Sequence, residues 1–308
     1  MKVRSLLPTV VLLVAPAALT AQAHDHAGQD AAAGHDHAAM HGAPAAEALP
    51  PAALEQISLV EASVAEFASI DAATGSGFRP ALGMIPTMGT HWVNRERMRN
   101  GAGAELTRPE HLMFSPIDGE ERLVGVAFAY QATPGEATPD VFVGELDAWH
   151  THPELSPPGQ ELTMLHVWFV PSPDGPFAGH NPWLPFWAAG LEPPDAARLA
   201  DPEDSYRIRA LGLALSETVE AAREGILSRF VESRVDAEPR RERIRSLIPV
   251  LDAAQKAGDA AAWNAAADEA VAEWEQIREA SLSSIRVPLI RERLTGFYEQ
   301  MLSGGHGH

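Results

Sequence analysis

The sequence predicts an α+β protein: a compact antiparallel β sandwich or barrel-like domain followed by a helical C-terminal segment. Three observations carry that expectation. Between residues 78 and 192, Gly and Pro punctuate short runs rich in β-formers. From residue 195 to 303, apolar residues instead recur every three or four positions. The chain also has no cysteine, so core packing or metal, rather than disulfides, must hold it together.

In chain order, residues 1–23 read as a secretory signal. Lys2 and Arg4 form a basic start, Leu6 to Leu19 is apolar but too short to span a bilayer, and Ala21-Gln22-Ala23 offers small residues for cleavage. The expected location is periplasmic or secreted, with no stable membrane insertion after cleavage. Residues 24–49 are mostly Ala, Gly, His and Asp, with little to bury, and read as a disordered His-rich tail.

From Pro51, Leu54, Ile57, Val60, Val64 and Phe67 fall at helical spacing, so residues 50–77 should be an amphipathic helix and linker ending at Thr74-Gly75-Ser76-Gly77. A β-rich domain is expected over 78–194, with strands in "HLMFSP", "RLVGVAFAYQ", "DVFVGEL" and "LTMLHVWFVP". Asp118-Gly119 marks a hairpin between the first two, and Asp174-Gly175 a turn after the last.

The helical segment, 195–303, carries four stripes. Ile208, Leu211, Leu215, Val219, Ala222, Ile226 and Phe230 trace the first. Ile244, Leu247 and Leu251 begin a second, expected to kink or stop near Pro249. Trp263, Ala267, Val271, Trp274 and Ile277 make a third, N-capped by Asp259, and Leu289, Ile290, Leu294, Phe297 and Met301 the last. Residues 304–308 close the chain as a Gly/His tail.

Charge narrows the function. The chain carries 23 Lys and Arg against 42 Asp and Glu, a net charge of −19, which becomes −21 if Lys2 and Arg4 leave with the signal. Such a surface repels phosphate backbones, which argues against nucleic acid, and it attracts cations. The absence of cysteine excludes thiol catalysis and thiolate-held clusters. The sequence contains no Gly-x-Ser-x-Gly elbow, His-Glu-x-x-His helix, phosphate loop or dinucleotide fingerprint.

Histidine is the remaining signal. In the tail, His24-Asp25-His26-Ala27 returns as His35-Asp36-His37-Ala38, followed by Met40 and His41. After cleavage at Ala23, the α-amine, two backbone amides and the His26 imidazole close a square of four nitrogens, which suits Cu(II) or Ni(II). His24 adds an imidazole. His35, His37 and His41 extend the set for Cu(II) or Zn(II), and the Met40 thioether suits Cu(I).

In the β-rich domain, His150 and His152 share a strand face, with Glu145, Asp147 and Glu154 nearby in sequence. His166 lies on the face of Met164 and Trp168, reading either as a ligand or as a hydrogen-bonded core residue. His91 and His180 adjoin Gly-containing turns, and His111 reads as an ordinary strand residue. Trp149, Trp168, Trp183 and Trp187 read as core or pocket wall.

Three segments, "MGTHWVN", "RLVGVAFAY" and "LHVWFVPSPDGPFAGHNP", carry a resemblance. Over about residues 80–190 the chain resembles a loosely defined set of exported, largely uncharacterised bacterial β-domain proteins. The resemblance implies a compact β domain with His91, His166 and His180 in recurring positions, and it brings no activity.

The expectation is an exported metal-binding protein acting in metal capture, buffering or delivery, with copper favoured over zinc or nickel and a second histidine site in the β domain. Its metal residues are His24, His26, His35, His37, Met40, His41, His91, His150, His152, His166 and His180. The alternatives are a metal-dependent hydrolase or oxygenase using the β-domain histidines, and a non-catalytic module docking a periplasmic protein through its C-terminal helices.

Overall fold

The computed structural model describes residues 49–99, 105–144, 146–152, 156, 158–223 and 237–304. The signal sequence, the histidine-rich tail, Glu145, Glu154, Ile226, Phe230 and the final histidines lie outside these residues. The architecture is α+β: a curled, six-stranded antiparallel sheet, a half-barrel, followed by helices.

Helix α1 spans Pro51–Val64, a short 3-10 turn follows at Ala65–Phe67, and α2 covers Ile70–Gly75. Pro51 at the first position suits a helix start, where its missing N–H costs nothing. The buried stripe is Ala53, Val60 and Val64, with Phe67 beyond it, while Leu54 faces solvent at 45% exposure. Ala53 takes the position that the apolar spacing assigned to Leu54.

Six strands follow: β1 (Arg79–Ile85), β2 (Gly89–Val93), β3 (His111–Ile117), β4 (Glu120–Ala132), β5 (His150–His152) and β6 (Glu161–Trp168), with the five-residue helix α3 (Arg95–Arg99) after β2. They pair in the order β1-β2-β3-β4-β6-β5. The β3–β4 hairpin turns at Asp118 and Gly119, with φ of 55° and 77°. Two positive φ values in a two-residue loop match strand twist, which is why Asp-Gly works there.

The described residues of "DVFVGEL" form no strand. Asp147 accepts from the amides of Val141 (2.5 Å) and Phe142 (3.0 Å), while Gln56 of α1 accepts from the Val143 amide (2.9 Å) and donates to the Val141 carbonyl (3.0 Å). Side chains supply the partners that a neighbouring strand would have offered. Phe142 still buries its ring, 4.6 Å from Phe177 between centres.

The two faces of the sheet serve different ends. On the outer face, Leu112, Phe114, Val126, Phe128, Leu165 and Val167 pack with Val60 and Val64 of α1. On the inner face, β4 presents Gly125, Ala127 and Ala129, all small, beside Met113, Met164 and Trp168. A Cβ on Gly125 would sit 2.5 Å from the Val167 carbonyl oxygen and 2.7 Å from Met113 Cε. Small residues inside and large ones outside let the sheet curl toward its inner face. A register shift between Met113 and Phe114 adds to the bend.

The helices are α4 (Leu184–Ala188), α5 (Pro202–Ser216), α6 (Glu220–Arg223), α7 (Glu238–Ala257), α8 (Ala260–Ser284) and α9 (Pro288–Ser303). Their core joins Trp183, Phe186, Ile208, Leu211, Leu215, Ile244, Leu251, Trp263, Trp274 and Met301. Asp201 caps α5, and Asp259 caps α8 by accepting from the Ala262 amide at 3.0 Å.

Helix α7 runs through Pro249 instead of stopping there. Pro249 is exposed, so the carbonyl it strands can meet water, and Ile244, Leu247 and Leu251 keep both halves on the core. The first stripe is broken after Ser216, where α5 ends, and Ala222 is buried on the separate α6. In α9, Met301 is buried while Leu289 is 55% exposed. No described helix is long and apolar enough to cross a membrane.

Candidate metal centre

Register places five histidines on the inner face. His111 of β3 and His166 of β6 both pair with Ala127 of β4, one on each side. His91 of β2 pairs with Met113, which alternates with His111 onto the same face. On β5, His150 pairs with Met164 and His152 with Leu162, both of which alternate with His166. Ala127, fully buried, separates His111 from His166.

His91 and His166 stand on strands separated by β3 and β4. In a flat sheet, three strand spacings would put their backbones about 14 Å apart. Their Nε2 atoms are 3.2 Å apart, a contact made by the curl.

Hydrogen bonding defines the tautomers. His166 Nδ1 donates to the Gly179 carbonyl at 2.8 Å. A carbonyl can only accept, so the neutral His166 ring carries its lone pair on Nε2. His91 Nε2–H donates into that lone pair. The carbonyl anchor on the far nitrogen is the arrangement that orients metal-binding imidazoles.

The loop that carries Gly179 is itself fixed. Trp168 Nε1 donates to the Ala178 carbonyl at 2.7 Å, the Asn181 amide donates to the Thr87 carbonyl at 2.8 Å, and Arg209 of α5 holds Asp174 through two bonds of 2.8 and 2.7 Å.

Burial keeps these rings neutral. His91 is held well below the usual imidazole range by desolvation, then by the neighbouring rings of His111, His152 and His150. His166 is lowered by desolvation, then by His150 and His91, with the Gly179 bond acting in the opposite direction. His111 is pushed down to about 4 by burial, then by His152. Its Nδ1 is buried with no hydrogen-bond partner in the protein, which leaves one more nitrogen unsatisfied on this face. Neutral imidazoles are the form that binds metal.

The 3.2 Å separation is close to the edge of a tetrahedral site. With metal–nitrogen bonds of about 2.0–2.1 Å, two ligating nitrogens lie about 3.3–3.4 Å apart. An ion would replace the shared proton with little movement. Among the described residues, however, no three His, Asp or Glu side chains converge as a ready coordination set.

The expected site residues therefore divide. His91, His150, His152 and His166 come together. His180 stands apart, its Nδ1 2.8 Å from Thr87 Oγ1 and its ring centre 6.0 Å from that of Phe297. His24, His26, His35, His37, Met40 and His41 lie outside the described residues, as do Glu145 and Glu154. Asp147 is occupied by backbone amides.

His111, read from sequence as an ordinary strand residue, joins the cluster, with its ring centre 5.9 Å from that of His91. A sheet register between β2 and β3 would have been the signal to find it. Trp168 walls the cluster, 5.8 Å from His166; Trp183 belongs to the helical core, and Trp187 packs against both that core and the inner face. No protein-family model, curated protein or solved structure matches this chain.

Proposed function

We propose that this is an exported metal-binding protein that captures, buffers or delivers a transition-metal ion, copper ahead of zinc and nickel. The β domain adds an ordered site to the histidine-rich tail. One observation carries the reading: two neutral imidazoles present their Nε2 atoms 3.2 Å apart, with His166 oriented from behind by Gly179. Imidazoles suit zinc, nickel and copper alike; copper leads because the thioethers of Met113 and Met164, donors for Cu(I), lie on the same face. In the tail, the His24-Asp25-His26 start supports the same ion.

The hydrolase or oxygenase reading ranks second, because the groups that act most strongly on His91, His111 and His166 are other imidazoles, not a carboxylate acid–base partner.

The test is metal content and Cu(II) binding of natively exported protein, beside a full-length variant with His24, His26, His35, His37, His41, His306 and His308 changed to Gln. Intact mass on the same sample defines the mature N-terminus. The variant should retain near-stoichiometric copper, and adding H91Q and H166Q should remove it. Metal-free protein that shows no copper binding in either form would end the reading.

A further inference from the structure

Helix α9 is pinned at one end and open along one side. Met301 is buried, Phe297, Tyr298 and Leu302 pack against the helical core, and the C-cap Gly304 lies against the Arg209 guanidinium. At the other end Val287 and Leu289 are 51% and 55% exposed. Between the ends runs an open groove of about 410 Å³, lined by Pro288, Arg291, Glu292, Thr295, Gly296 and Glu299. Every described residue on its wall belongs to α9. Their spacing makes two adjacent ridges on one side of the helix, Pro288-Glu292-Gly296 and Arg291-Thr295-Glu299. Ridges of this kind are what a second helix packs against.

Gly296 has no packing reason inside the chain. Glycine weakens a helix interior, and Gly212 of α5 is accounted for, since a Cβ there would touch the Pro182 carbonyl and Phe186 at 3.5 and 3.6 Å. A Cβ on Gly296 would meet none of the described residues within 4 Å. The glycine instead bares the backbone on the groove side, where another backbone can come close. Beside it, Thr295 spends its hydroxyl on the Arg291 carbonyl at 2.9 Å and asks no polar partner of the groove.

The charges of the groove are also unspent. On α7, Arg240, Arg241, Arg243 and Arg245 each hold a carboxylate. Arg291 donates to the Ile285 carbonyl at 2.9 and 3.3 Å, and among the described residues no carboxylate pairs with it and no cation with Glu299. Eight residues separate the two, about 12 Å along the axis, too far for them to pair with each other. Thr295 stands midway between them.

We propose that α9 pairs with α9 of a second copy of this chain, antiparallel, about a two-fold axis at Thr295. Each Arg291 then lies level with the partner's Glu299, and Glu292 level with the partner's Tyr298. A parallel pair would set arginine on arginine and glutamate on glutamate, so the order of charges selects the closed two-fold. Ridges of this spacing pack with the helices crossed at about 50°. The chain's net charge of −19 repels a second copy at long range, which leaves the local match of charges to decide the pairing. Two single helices bury less than the roughly 1,600 Å² of a standard interface, so the dimer is reversible.

The experiment is sedimentation equilibrium of the full chain from micromolar to submillimolar protein, with a chelator present so that metal cannot bridge two tails. The parent should show a reversible monomer–dimer equilibrium. E299R, and R291E likewise, places like charges together twice across the axis and should weaken the dimer by about tenfold or more, while R291E/E299R should restore it to within about threefold. G296Q meets no described atom of its own chain, so the monomer should keep its Tm while the dimer weakens by about tenfold or more. A parent that stays monomeric throughout would overturn the pairing and leave the groove to another protein. A dimer that E299R and G296Q leave intact lies on another surface and would overturn it as well. Failure of the charge swap to restore a dimer lost in both single variants would overturn the two-fold register. Copper enters none of these outcomes, so the metal reading stands or falls separately.

Discussion

Acid should weaken this fold as soon as the pH falls below the usual imidazole range. His91, His111 and His166 are neutral in the folded protein because burial holds their pKa values down. In the unfolded chain each takes up a proton near pH 6.5. Their contribution is intact above pH 6.5 and is lost as pH falls from there toward the folded values. Each ring adds a slope of about 1.4 kcal/mol per pH unit, so three together give about 4 kcal/mol per unit.

His111 alone, with a folded value of about 4, should cost about 3 kcal/mol between pH 6.5 and 4. Typical domain stabilities are about 5–15 kcal/mol, so a drop of one to two pH units is enough to unfold a marginal one. Buried Glu110 and half-buried Asp147 have raised pKa values and oppose the trend, so the histidine contribution is read where it first falls, from pH 7.5 to 5.5. Urea unfolding of metal-free protein across that window should show the midpoint falling steeply below pH 6.5, with H111Q reducing the slope by about a third. A midpoint that stays level from pH 7.5 to 5.5 would refute the reasoning, because it would mean that these rings are protonated or solvated in the fold.

Other perturbations have definite outcomes. G125A forces a Cβ against the Val167 carbonyl and should cost about 1–3 kcal/mol in urea unfolding. D174N leaves Arg209, 5% exposed, without its carboxylate, and should lower stability by about 3 kcal/mol or more, read as a fall in Tm. Q56A removes two bonds that shape the 141–147 loop and should cost about 2 kcal/mol. Cu(II) at a hundred times its Kd should stabilise the tail-substituted protein by about 2.7 kcal/mol, and a chelator should reverse that shift.

Much of the fold was legible where local chemistry decides it. The Asp118-Gly119 hairpin, the strands around Met113, Phe128 and Leu165, and the Asp259 cap all follow from turn residues, alternation or capping. What escaped depends on distant partners. "DVFVGEL" looks like a strand until Gln56, 85 residues before Val141, takes up its backbone groups. Pro249 breaks helices in general, yet here it lies on the solvent side of one already pinned by Ile244 and Leu251.

The site divides in the same way. The His150 and His152 alternation is visible in three letters. The meeting of His91 with His166 spans 75 residues and depends on curl, which no local pattern encodes. His111 was hidden because its neighbour in space is on another strand.

The alternation Gly125-x-Ala127-x-Ala129 has a consequence of its own. The place a Gly125 side chain would take is already held by the Val167 carbonyl and the Met113 methyl, and Ala127 and Ala129 are fully buried. The middle strand is thin, and its thinness is what lets its neighbours lean in until His91 reaches His166. Growth at any of the three, to Val or Leu for instance, would prise the flanking strands apart and part the two rings while leaving every histidine in place. The imidazole contact is thus written as much in a run of alternate tiny residues on the middle strand as in the histidines themselves.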